Sequence, residues 1–441
     1  MALFIRTHNR CPSAATALPL NARRLLLVAT VLAPFVAGAQ TVLPLTLQEA
    51  LALARTRSPQ LVAQTAAIGA AESLAASAGQ LPDPKLGIGI DNLPVTGADQ
   101  FSVGRDFMTM RKIGLMQEFP REEKRRANQA HAVAETNKEQ ATLTALQTTL
   151  QRDVALAWLE RYFAERQVQV LKELETETAL LTDAARAAVA GGKGSPADPV
   201  LAQAARVQVQ DRIQEAERQM KRAQAMLARW VGEREASRPL DTAPSFSTIS
   251  HPLSALQETL THHPELLVYG PMEAIARADI ASAQAAKKPD WSLEVAYAQR
   301  GSSFSNMVSV QVRIDLPVFA AKRQDPVIAA RYKVLEQVQA QREDARRMHE
   351  TDIKNMLIDW ETARARLKRS ETELVPLARQ GATAALAAYR SGRSNLTTAL
   401  DARRNVIGIR VSEVQTQAEL ARAWAYLNFL LPLQAAKVDA K

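Results

Sequence analysis

The chain has 441 residues, a formal charge of +9 and few aromatics, at 5%. The length allows two or three ordinary domains, and the scarcity of aromatics and glycine leans towards long helices. The charges are interspersed, with no basic stripe interleaved with aromatics, which argues against a nucleic-acid partner.

Four arginines, Arg6, Arg10, Arg23 and Arg24, lie in the first 39 residues, which contain no acid. Arg23-Arg24 precede an apolar run from Leu25 to Gly38 that ends in Ala37-Gly38-Ala39 before Gln40. A positive start, a short apolar run and a small-x-small step predict a secretory signal peptide over residues 1–39. The run is short for a bilayer span, which needs about 20 residues. The single cysteine, Cys11, lies upstream of the run, so the exported chain is expected to carry neither a disulfide nor a lipidated thiol.

The remainder reads as two copies of one unit, 40–245 and 246–441. Leu47-Gln48-Glu49-Ala50-Leu51 leads to Ser58-Pro59-Gln60-Leu61. Roughly 205 residues later, Ala255-Leu256 leads to His263-Pro264-Glu265-Leu266. Thr46-x-x-Glu49 predicts a capping box for the first helix. Each copy continues through an Ala-rich helix to a Pro-Asp step, at Pro82-Asp83-Pro84 and Pro289-Asp290.

Two short strands follow in each copy. Leu86 to Ile90 and Ile113 to Phe119 form the first pair; Trp291 to Tyr297 and Val308 to Leu316 form the second, which alternates apolar and polar residues more cleanly. Such alternation at this length is the pattern of strands in a transmembrane barrel. The loops between them, Asp91 to Asp106 and Gln299 to Asn306, are rich in turn residues.

Residues 121–190 contain neither Pro nor Gly and predict a helix about 100 Å long. Leu143, Leu146, Leu150, Val154, Trp158 and Tyr162 recur at threes and fours, as helix-on-helix packing requires. Residues 327–390 repeat the pattern, with kinks expected at Pro376 and Gly381. Each long helix ends at a glycine-containing break, Gly191-Gly192-Lys193-Gly194 or Ser391-Gly392-Arg393-Ser394, and another long helix follows.

Four strands cannot close a barrel, and an open edge leaves backbone groups unpaired in lipid. Closure therefore demands shared strands, and three chains give about twelve. The expected fold is mainly α with membrane β: a long α-helical coiled-coil barrel, with four β-strands per chain completing a 12-stranded trimeric β-barrel.

The chain resembles the TolC family of outer-membrane efflux proteins. The likeness rests on the duplicated helix-strand-strand-helix plan, "LTLQEALALARTRSPQL", the strand ends "IGLMQEFP" and "RIDLPVF", and "YRSGRSNLTTALDARR" at the second break. The segment "MTMRKIGLMQEFP" is most similar to the heavy-metal branch, the cobalt-zinc-cadmium and copper-silver exporters. The resemblance implies a homotrimer in the outer membrane of a Gram-negative bacterium, in contact with lipid and extending into the periplasm. It would be a passive, non-enzymatic exit duct without cofactors, working with a periplasmic adaptor and an inner-membrane RND pump. A type I secretion or multidrug duct of the same fold remains an alternative cargo reading. A periplasmic adaptor is the alternative of a different class, although it would have a single helical hairpin.

The resemblance also implies acidic rings at the periplasmic tip, in a Y-x-x-G pattern with acids six and nine residues beyond the glycine. Tyr389 and Gly392 match, Asp401 stands at nine, and Thr398 stands at six. In the first copy Gly192 is followed by Asp198 at six and Leu201 at nine. Asp401, Asp198 and Thr398 are therefore the candidate gate positions, on hairpins broken at Gly192, Gly194 and Gly392. The plain alternative for both acids is a solvated residue in a helix's opening turns.

Met108, Met110 and Met116 offer thioethers that suit Cu(I), or else serve as strand residues. His262-His263 reads as a helix end before Pro264, and Met348-His349-Glu350 as a solvated helix face. Gly191 to Ser195 superficially suggests a phosphate loop but lacks the preceding strand. No Ser-His-Asp arrangement, CxxC pair or other catalytic or metal motif stands out.

Overall fold

The computed structural model describes residues 43–192, 194–249 and 263–430. The expected signal peptide with Cys11, Lys193 of the first break, and His262 with Ala255-Leu256 lie outside the described residues. In the first half, α1 (Leu47–Arg57) and α2 (Pro59–Ser77) lead into β1 (Lys85–Asp91) and β2 (Met110–Phe119). Next come α3 (Glu122–Ala190), α4 (Asp198–Val231) and the short α5 (Glu233–Ala236). The second half repeats the order with α6 (Pro264–Leu267), α7 (Tyr269–Ala285), β3 (Trp291–Gln299), β4 (Met307–Ile314), α8 (Ala320–Arg369), α9 (Val375–Arg390) and α10 (Leu396–Asn428).

Local chemistry fixes the starts of these helices. Thr46 Oγ1 accepts from Glu49 N at 3.0 Å. The Ser58 hydroxyl caps α2 ahead of Pro59, where a missing N–H costs nothing. Glu122 and Glu123 occupy the first turn of α3 and complement its dipole. With 69 residues and no internal Pro or Gly, α3 runs about 100 Å.

The break in the second long helix falls upstream of where the sequence placed it. A π-helical turn, Ser370–Leu374, separates α8 from α9, with Pro376 just beyond it. Proline cannot donate to the carbonyl four residues back and crowds it, and the wider turn absorbs that conflict. Gly381 lies within α9 without interruption, and Pro326 is accommodated near the start of α8.

The four strands form one antiparallel sheet in the order β1-β2-β3-β4. Its register sorts the side chains cleanly. One face carries the rows Leu86–Leu115–Val295–Val310 and Ile88–Ile113–Tyr297–Val308. The other carries Gly87–Gly114–Ala296–Ser309 and Lys85–Met116–Glu294–Gln311. The apolar face is bare: Ile88 is 77% and Val308 69% exposed.

The main core lies among the helices and the connector after α4. Trp158, wholly buried, donates from its indole nitrogen to Leu45 O at 3.1 Å. Trp360 does the same to Phe246 O at 2.9 Å, and Trp424 to Thr248 O at 3.0 Å. The buried Arg161 guanidinium reaches the carbonyls of Ala236 and of Arg238, the latter at 2.7 Å. Irregular backbone has carbonyls that no helix satisfies, and Arg161, Trp360 and Trp424 supply donors to those of Arg238, Phe246 and Thr248 in the connector, while Trp158 ties in the segment before α1. Trp158→Ala should destabilise the fold by about 3–5 kcal/mol, read as a lowered thermal unfolding midpoint in detergent.

Candidate functional site: a sheet with two faces and a helical tip

At the junction of sheet and helices, Phe119 stacks on Trp291 with centroids 4.2 Å apart, at the end of the apolar face. Below it Asp290 accepts from Arg121 N at 2.8 Å and pairs with Lys124 at 2.9 Å, tying the start of α3 to the second copy. Lys288 pairs with Glu123 at 2.7 Å across the same seam. On the polar face Glu294 holds Lys112 at 2.8 Å and Arg313 at 3.0 Å. Small residues surround that cluster, so the face can line a wet interior without filling it.

The three methionines do not converge. Met108 is an exposed loop residue. Met110 and Met116 lie on the same face of β2 but six residues apart, about 20 Å along a strand. Met116 Sδ instead accepts from Arg313 Nη1 at 3.5 Å. No single ion can use this set.

The opposite end is built by the two helical hairpins. Gly192 and Gly392 both adopt left-handed backbone, at φ 69° and 72°, as helix ends require. Gly194 follows the first break, packed on Val189, and the run to Ser195 is preceded by a helix, not the strand a phosphate loop needs. Leu181, Ala185, Ala202, Ala205, Leu396 and Leu400 make a separate small core there, joining the hairpins.

Each predicted gate residue takes a different partner. Asp198, half-buried at the first position of α4, accepts from Ser195 N at 3.2 Å and from the Tyr389 hydroxyl at 3.4 Å. The bond to Tyr389 links the two copies. Burial, and then the Asp198 carboxylate, push the Tyr389 phenol upward from its ordinary value. Asp401 lies past the first turn of α10, its side chain 61% exposed, and pairs with Arg404 at 3.1 Å. Exposed pairs of this kind contribute about 0–1 kcal/mol and leave the carboxylate in reach of ions. Thr398 donates to Asn395 Oδ1 at 2.8 Å, within the N-cap of α10. Among the described residues no hydrogen bond joins the two aspartates.

One expectation is corrected. His349 does not face solvent: it is 6% exposed, while its neighbour Met348 is out at 56%. Ala345, His349 and Ile353 fall at intervals of four and form the stripe that α8 buries. His349 Nε2 lies 3.0 Å from Glu265 Oε2, and its ring packs 4.4 Å from that of His263. His263 is the expected helix end, its Nδ1 accepting from Glu265 N at 3.3 Å. Burial, and then the charge of His349, pull the His263 imidazole down to about 4. The His349 hydrogen bond holds the Glu265 carboxyl below its ordinary range. Burial pushes the nearby Asp153 carboxyl up. The four-residue stripe was present in the sequence; the approach of α6 was not.

The family model described as "Outer membrane efflux protein" matches residues 50–233 and again 255–431. The chain belongs to the outer membrane efflux protein family. It is an outer-membrane efflux channel. No curated protein sequence matches it.

Solved structures with the same fold include the outer-membrane channel OprN, at TM-score 0.74 and 18% identity over 88% of this chain and 90% of that one. CusC, described in terms of folding and transmembrane channel formation, aligns at TM-score 0.76 and 16% identity over 87% and 92%. VceC from Vibrio cholerae aligns at 0.73 and 19% over 87% and 95%. Among the described residues of this channel no helix is long and apolar enough to cross a membrane.

Gly392→Ala should cost about 1–2 kcal/mol, because a Cβ at positive φ meets the following carbonyl. Gly69→Ala, within α2 and with open space at its Cβ, should instead stabilise by about 0.5–1 kcal/mol. Thermal unfolding of the two variants against the parent separates these effects.

Proposed function

We propose that three copies of the chain form a passive exit duct of a tripartite export system, with a twelve-stranded barrel in the outer membrane and a helical tube in the periplasm. The observation carrying this reading is the sheet itself. It has one apolar face, one polar face with small residues, and two edge strands that each pair on one side only. In hydrocarbon each unpaired backbone group costs several kcal/mol, so the edges must find partners. Three chains give a lumen wide enough for water. The detergent-solubilised protein should run as a trimer by light scattering. A monodisperse monomer with intact β content overturns the shared barrel.

In the same reading, residues 1–39 are removed on export and the two copies, 40–245 and 246–441, form the wall. A periplasmic adaptor and an inner-membrane RND pump deliver cargo to the tip and supply the energy. Heavy-metal cations are the proposed cargo, supported by the likeness of residues 108–120 to the heavy-metal branch.

Asp198 and Asp401 are proposed to guard the tip. Three-fold repetition would set six carboxylates around a narrowing, and rings of carboxylates favour cations. Replacing both aspartates with Ala should reduce cation preference and block by multivalent cations in planar-bilayer conductance. Wild-type selectivity and block in the double variant would make them ordinary helix-turn acids.

A further inference from the structure

His263, Glu265 and His349 converge from two elements, α6 and α8, that contribute nothing to the sheet or the tip. One potential ligand atom from each lies within 4.8 Å of the others. The two imidazoles are 4% and 6% exposed, so they meet inside the protein. Their rings lie 4.4 Å apart, tilted at 33°, so the two imidazoles are direct neighbours in that interior. The donor chemistry is specific. Two imidazoles and one carboxylate suit Zn2+ and its neighbours among the first-row metals, whereas Mg2+ and Ca2+ favour all-oxygen sets.

We propose that His263, Glu265 and His349 form a resident transition-metal site of the Zn2+ type, which clamps the start of α6 onto α8. The nearest competing charge is Arg152, whose Nη1 lies 3.8 Å from Glu265 Oε1. That guanidinium also reaches Asp153 at 3.7 Å and lies over the Tyr426 ring at 5.3 Å. It engages the far carboxylate oxygen and leaves Oε2 turned to His349. Binding costs the long 3.3 Å cap if His263 rotates its bond to the metal, and protein ligands fill three positions with a fourth left for water. The site is a fixed ligand of the wall and does not depend on what the duct carries.

The test uses the untagged full chain in detergent, stripped with a chelator and desalted. Titration with Zn2+ should show one equivalent per chain and raise the Tm by several degrees, since the metal binds the folded state. Mg2+ at the same concentration should do neither. Co2+ should develop the visible absorption of a low-coordinate site with nitrogen ligands. His349→Gln should lower Zn2+ affinity by more than about 100-fold, the upper end of what losing an outer-shell partner costs. Absent uptake by the wild type, equal stabilisation by Mg2+, or unchanged affinity in the variant each overturns the site. If the variant does not assemble, the Co2+ spectrum of the wild type decides, and its absence overturns the site.

Discussion

An unpaired strand edge in hydrocarbon is the constraint on which the rest of this structure depends. The apolar rows on β1 to β4 have no helix or second sheet over them, so they are stable only against lipid. Against lipid, β1 and β4 cannot remain edges. The side-chain alternation therefore sets more than a burial pattern: it places the sheet in the membrane and calls for neighbouring chains. In the proposed trimer the polar face, with Glu294 between Lys112 and Arg313, becomes the inside of the pore.

The helical body answers a different demand. A helix of 69 residues cannot be held by propensity alone, and α3 packs against α2, α4, α7 and α10 along its length. Tertiary contact of an amphipathic face supplies most helical stability. Ion pairs reinforce the same packing, from Lys172 to Glu217 at 2.7 Å and from Arg403 to Glu177. The connector between the copies is irregular, and its carbonyls are satisfied by Trp360 and Trp424 reaching in from α8 and α10. Those indoles convert a potential weak point into part of the core.

Several elements were legible because their signals are local. The run without Pro or Gly from 121 to 190 became α3 nearly to the residue. Thr46 caps α1 by accepting from Glu49 N, although the Glu49 carboxylate goes to Arg238 and does not complete the expected box. Val308 to Ile314 alternate because a two-residue period is written directly into a strand. Pro376 announced a disturbance but not its form, since a π turn five residues long depends on how α8 and α9 are seated against α10. At the candidate gate the sequence offered Asp198 and Asp401 as equivalents. The structure gives them unlike surroundings, one bonded to Tyr389 across the copies and one paired with Arg404 on its own helix.

By itself the sequence determined the duplication, the long helices, the amphipathic strands and the glycine-marked turns, because each is a short-range rule about period or backbone freedom. It could not determine which distant residues meet. His263 and His349 are 86 positions apart in the chain, and each taken alone is an unremarkable helical residue. Only the tertiary packing of α8 turns His349 inward, brings its ring against that of His263 and sets Glu265 within hydrogen-bond reach of it. Such contacts arise from packing between elements, where the geometry of every intervening turn contributes, and no local pattern of residues encodes it.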